Sequence, residues 1–149
     1  MPSPTKGYIY LETHADRPGQ VRVLSQAEEP VPQQRTDDVQ IRYIARFRNA
    51  HIAYMHVHNT LKKQLQDINS RFYAVSLPRA IAAVEAEDLA HERVWMDPAL
   101  TENELAELEQ QTCTLQKRRQ WVNRIYLAVG GLGLLLLMFI LFGGVWSSW

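Results

Sequence analysis

Residues 125–146 read IYLAVGGLGLLLLMFILFGGVW, 22 residues with no charge and no proline. At about 1.5 Å of rise per residue, such a run forms a helix of roughly 33 Å, enough to cross a hydrocarbon layer of roughly 30 Å. Lipid offers no hydrogen bonds, so only a helix or a closed barrel can make that crossing. A chain of 149 residues is too small to surround a helix that is apolar on every side. A single transmembrane helix is therefore expected. Lys117, Arg118, Arg119 and Arg124 lie just before it, and only Ser147, Ser148 and Trp149 follow. Basic flanks stay on the cytoplasmic side, which predicts a cytoplasmic amino-terminal domain and an outward carboxyl terminus. Trp121, Tyr126, Trp146 and Trp149 stand at the two ends, where aromatic rings anchor a helix at the lipid–water interface. The opening MPSPTKG has no apolar signal core, so a tail-anchored, single-pass protein is expected. The style of the sequence suggests a bacterial inner membrane.

Sixteen Lys+Arg balance 16 Asp+Glu, which argues against a dedicated polybasic nucleic-acid binder. Cys113 is the one cysteine, so no internal disulfide is possible.

Ahead of the apolar run the pattern alternates between strand and helix periods. GYIYLET (7–13) and QVRVLS (20–25), joined by turn chemistry at 15–19, predict a hairpin. Residues 26–38 hold two prolines and no helical period, and are expected to be irregular. VQIRYIARF (39–47) sets Val39, Ile41, Tyr43, Ala45 and Phe47 against Gln40, Arg42, Ile44 and Arg46, a strong strand pattern. Asn49 fits an N-cap for a helix reaching about Asp67. A short strand at 71–75 should follow. Ser76 and Pro78 then open a second helix, reaching Ala86 and as far as about His91. Thr101 and Glu104 form a capping box for a third. Its stripe of Leu105, Leu108, Thr112, Leu115, Arg119 and Val122 suits contact with a partner helix. The expected fold class is α+β: a small antiparallel sheet flanked by helices over residues 1–96. An amphipathic juxtamembrane helix (97–124), the transmembrane helix (125–146) and a short outer tail (147–149) complete the expected organisation.

Gly7-Tyr8-Ile9-Tyr10, a Pro-Gly turn and Val21-Arg22-Val23-Leu24 resemble the paired strands of the GIY-YIG nuclease superfamily. The 39–47 strand, a helix carrying His58, the Arg71-Phe72-Tyr73 strand and the helix from Ser76 also match in order, over about residues 6–90. The resemblance implies aromatic residues near a reacting water and phosphate at Tyr8 and Tyr10. It also implies a glycine where this chain has Leu24, and a helix with a catalytic arginine where Arg35 is the one arginine in the connection. A metal-binding Glu is implied one turn before the histidine, and that position holds Tyr54. No acid occurs between Asp38 and Asp67. Such a member lacks the carboxylate that a hard divalent ion requires. A catalytically degenerate domain is therefore expected, with no catalytic residue, no metal and no cofactor.

The five histidines do not make a metal site by spacing. His56 and His58 point about 200° apart on a helix, and His51 and His58 lie two turns, roughly 10 Å, apart. On a strand, His56 and His58 would share a face. Arg42, Arg46, Arg48, Lys62 and Lys63 occur without an acid between Gln40 and Gln66, interleaved with Tyr43, Phe47 and Tyr54. That is compatible with nucleic-acid contact. Nine acids against Arg93 alone over residues 85–109 suggest instead that the two segments meet each other or a charged partner. In the apolar run, Gly130, Gly131, Gly133, Gly143 and Gly144 allow close approach of another helix. These features predict an accessory or assembly subunit of a larger membrane complex, presenting Tyr8, Tyr10, Arg46, Tyr54 and His58 to a protein partner. Its other neighbours would be the lipid bilayer and, in a scaffold reading, further copies of itself. The alternative is a membrane-tethered, metal-dependent nuclease using a displaced acid such as Glu12 or Glu85, or a nucleic-acid-binding protein.

Overall fold

The computed structural model describes residues 6–32 and 38–146, with side chains of the last helix described as far as Leu141. The chain forms two compact units, Met1–Leu115 and Gln116–Trp149. Its elements are β1 (Gly7–His14), β2 (Val21–Gln26), β3 (Val39–Phe47), α1 (Ala50–Leu61), β4 (Leu65–Asp67), β5 (Phe72–Tyr73), α2 (Leu77–Glu85), β6 (His91–Met96) and α3 (Glu102–Trp146). The fold is α+β, with one antiparallel sheet in the order β4-β5-β2-β1-β3-β6.

Strand alternation gives the sheet two faces. Ile9, Leu11, Val21, Val23, Tyr43, Ala45 and Phe47 point to one, where Ala53, Val57 and Leu61 of α1 and Ala80, Ile81 and Val84 of α2 cover them. Burying each larger aliphatic side chain here contributes roughly 1.5–3 kcal/mol. The alanines let both helices approach closely. Tyr10, Ile41 and Ile44 form a smaller cluster on the other face, with Tyr8, Leu24 and Trp95 packed against it.

Ile41 departs from the expected alternation. The β1–β3 register runs Leu11↔Tyr43 and then Glu12↔Ile41. Arg42 is the extra residue of a bulge, and the slip turns Ile41 to the second face.

Three helix starts fall where the sequence places them. The Asn49 side chain accepts from the Ile52 amide. Ser76 holds the N-cap position of α2, although its side chain makes no capping hydrogen bond, and Pro78 lies in the first turn. Thr101 and Glu104 exchange hydrogen bonds, the Thr101 amide donating to Glu104 at 2.8 Å and the Glu104 amide to Thr101 at 3.4 Å. The Thr101 amide and hydroxyl, both donating to it, hold the Glu104 carboxyl below its usual range.

Two boundaries are corrected. The first helix stops at Leu61 rather than near Asp67: a 3-10 turn over Lys62–Gln64 follows, and Leu65 pairs with Tyr73 as a strand residue. The spacing of Leu61 and Leu65 imitates a helical step although the backbone has already turned. The second helix ends at Glu85, well short of His91, which instead begins β6 on the outer side of β3. Glu92, Arg93 and Val94 are exposed on this edge strand, so no apolar alternation marks it.

The stripe on the third helix also has a nearer use than a partner. Leu108 is buried in the main core, and Leu105 and Leu115 pack against it.

Candidate functional site

Tyr54 and His58 are four residues apart on α1 and so share one side of it. Beneath them β5 supplies Tyr73, whose hydroxyl lies 2.7 Å from His58 Nδ1. The two rings meet edge to face at 6.1 Å. Tyr73 is fully buried. Burial pushes its hydroxyl well above the ordinary tyrosine range, and the neighbouring Tyr54 adds to that shift. The Tyr73 phenol keeps its proton, and the direction of the short contact with Nδ1 follows the tautomer of the imidazole. The Arg71 guanidinium lies 5.2 Å from the centre of the Tyr54 ring. Arg71 itself takes a left-handed backbone, φ 59°, rare for a residue with a side chain. The group therefore comprises two phenols, an imidazole and a guanidinium, with no carboxylate among them.

Tyr8, Tyr10 and Arg46 lie on the opposite face of the sheet, so the structure separates them from Tyr54 and His58. Tyr8 stands opposite Arg46 in register, and its hydroxyl donates to Glu29 at 3.3 Å. Arg46 pairs with Glu92 at 2.5 Å, and that carboxylate, helped by Tyr8, holds the guanidinium above its usual range. Tyr10 is buried against Ile41 and Ile44.

Farther along the same face Glu12 is fully buried, 3.7 Å from Arg22 Nη1 and 3.6 Å from His14 Nε2. Arg22 also donates from Nε to the Ser70 carbonyl at 2.9 Å. The guanidinium groups of Arg17 and Arg22 lie 4.4 and 5.8 Å from the centre of the Phe72 ring. Glu85, the other candidate acid, is committed elsewhere, accepting from the Tyr43 hydroxyl at 2.6 Å and from Arg93 Nε at 2.7 Å.

The cations of β3 and the acids that follow α2 meet within this unit. Arg42 Nε is 2.7 Å from Asp97 Oδ2, and Arg46 reaches Glu92. The histidines go to separate partners: His56 to the buried Glu87 at 3.0 Å, His58 to Tyr73, and His91 to Glu85 at 3.7 Å. Among the described residues, no three His, Cys, Asp or Glu side chains are placed to hold one metal ion. Tyr73 and Glu87 were not singled out by the sequence. An aromatic in a two-residue strand and an acid just after a helix carry no periodic signal of their own.

In the second unit α3 contains the one helix among the described residues that is long and apolar enough to cross a membrane, and none of its apolar window is buried. Lys117, Arg118, Trp121, Arg124 and Tyr126 are exposed and Arg119 is half-buried. A Cβ on Gly130, Gly131 or Gly133 would meet nothing within 4 Å. The surroundings of Gly143, Gly144 and Trp146, and all of Arg35, Ser147, Ser148 and Trp149, lie outside the described residues. No family model matches the chain, and neither a curated protein nor a solved structure was found to match it.

Proposed function

We propose that this chain is a non-catalytic, membrane-anchored accessory or assembly subunit, whose degenerate GIY-YIG-like domain serves as a protein-interaction module in a larger membrane complex. The observation that carries the reading is the Tyr54–His58–Tyr73 group. Where the resemblance implies a metal-holding acid beside a histidine, the chain has Tyr54, and the histidine is engaged by a protonated phenol. The apolar helix supports anchoring, and the basic residues before it support a cytoplasmic domain. Tyr8 and Arg46, with Glu92, offer a mixed polar and aromatic surface suited to a protein partner.

Pull-down of the full chain from its native membrane in mild detergent tests this reading, with one or more integral membrane proteins expected in stoichiometric amount. Orientation is read with a membrane-impermeant maleimide on intact cells. Cys113 should stay unlabelled, and a Ser148→Cys variant in a Cys113→Ser background should label.

A second reading, a tethered nuclease, has one observation in its favour: Glu12 is buried beside His14 and Arg22. Plasmid nicking by the full chain in Mg²⁺ or Mn²⁺, abolished by Glu12→Gln or Tyr8→Phe, would establish that reading and remove the first.

A further inference from the structure

We infer that the outer side of α1, with Arg71 beside it, is the docking surface of this module, and that the protein it receives presents a segment rich in Asp and Glu. The inference rests on the protein-interaction reading above and names the partner's chemistry at the same group. Tyr54, His58 and the C-cap residue Lys62 follow one another at four-residue steps, so they share one side of the helix. Met55 lies three residues before His58, and Ile52 three before Met55, which sets both on the solvent side of that row. Although apolar, they are 50% and 43% exposed. Neither α1 nor the 3-10 turn after it contains an acid.

Arg71 completes the surface. Its amide donates to the Asp67 carbonyl at 2.9 Å and its carbonyl accepts from the Val23 amide at 3.4 Å, which fixes its backbone at φ 59°. Glycine takes that conformation without steric cost, and a side chain kept there against strain is a mark of binding sites. The exposed guanidinium lies over the Tyr54 ring, a contact that uses its flat side and leaves its N–H edge for an acceptor. Among the described residues, Arg71, Lys62 and Lys63 make no ion pair. Asp67, the nearest acid in sequence, already accepts from the Asn69 amide and the Ser70 hydroxyl. Exposed cations without counter-ions, set around a methionine and a tyrosine, complement a segment that carries carboxylates among apolar side chains. A nucleic acid would reward a longer track of free cations. Arg42, Arg46 and Arg93, which could have extended one, are paired with Asp97, Glu92 and Glu85.

The test uses the full chain in its native membrane with the photocrosslinker p-benzoylphenylalanine in place of Met55. Irradiation should join it to another protein, and mass spectrometry should place the junction in a segment carrying several Asp or Glu. Arg71→Gly removes the guanidinium and relaxes the backbone, so the crosslink should fall roughly tenfold while the thermal melt in detergent stays where it was or rises. Arg71→Lys keeps the charge without the fork and should fall between the two. Lys62→Gln should lower the yield further, and rising salt should lower it in the parent chain. A junction in a segment without acids, or a yield undiminished in the Arg71→Gly, Lys62→Gln double variant, overturns the inference and leaves the accessory-subunit reading intact. A crosslink to nucleic acid or to a second copy of the chain overturns the choice of partner. No crosslink from this position, with a partner still recovered by mild-detergent pull-down, overturns the surface. A pull-down that recovers no partner removes the underlying reading and the inference together.

Discussion

The Tyr43 hydroxyl, in the middle of β3, donates to Glu85 Oε1 at the last residue of α2 across 2.6 Å. Arg93 of β6 donates to the same oxygen at 2.7 Å. One carboxylate thus joins the sheet, a helix and the edge strand.

Burial alone would raise the Glu85 carboxyl, but the hydrogen bonds from Arg93 and Tyr43 outweigh it and hold it below its usual range. The folded state therefore favours the ionised form. Its contribution is present above the unfolded carboxyl value of about 4.3 and is lost as pH falls through the lower folded value. Glu85→Gln should cost about 1–3 kcal/mol at pH 7. The gap between variant and parent should narrow in urea melts below about pH 4.

Tyr43 and Tyr73 behave in the opposite sense. Burial, with Glu85 beside Tyr43 and Tyr54 beside Tyr73, raises both hydroxyls well above the free tyrosine range. Their stabilising effect is complete below about pH 10 and declines as pH rises toward the folded values. Absorbance titration should show two phenols that ionise only with unfolding. Tyr43→Phe and Tyr73→Phe should each remove one of them and flatten the alkaline loss of stability. Two additional phenols titrating with the exposed tyrosines would contradict this assignment.

Gly7→Ala is expected to destabilise the domain by about 1–3 kcal/mol. The added Cβ would sit 2.8 Å from the Gln26 carbonyl oxygen and 3.0 Å from Ala50 Cβ. The first contact is backbone in a paired strand and cannot swing away. Thermal melts of the full chain in detergent, with Gly19→Ala as a second variant, separate crowding from strain: Gly19 has open space but φ 76°.

Leu135→Arg places a charge near the middle of the apolar run. Its cost, about 2.5–3.5 kcal/mol on insertion scales, should lower the fraction of chain that resists alkaline carbonate extraction. An unchanged fraction would show that residues 125–146 are not held in lipid.

The legible parts of the fold are those whose signals are local. Caps at Asn49, Ser76 and Thr101 declare themselves by residue type, and β3 by its alternation over nine residues. The boundaries that shifted depend on partners distant in sequence. Leu65 becomes a strand residue because Tyr73 is beside it, and His91 does so because Phe47 is. The bulge at Arg42 leaves no mark, since an extra residue in a strand looks like any other polar position. Tyr54 and His58 could be placed together from their spacing. Tyr73 could not, because only the return of the chain through β4 and β5 brings it under α1. The meeting of the basic and acidic segments was visible as charge, and β6 gives it a register.

The last strand to be synthesised closes against one made about fifty residues earlier, as the pairs Phe47↔His91 and Tyr43↔Met96 show. Until Met96 has left the ribosome, a nascent chain carries Tyr43 to Phe47 with a bare row of amides and carbonyls, ready to zip onto any extended neighbour. Prematurely terminated products would therefore be the sticky ones, and completing translation would serve this molecule as its own guard against clumping.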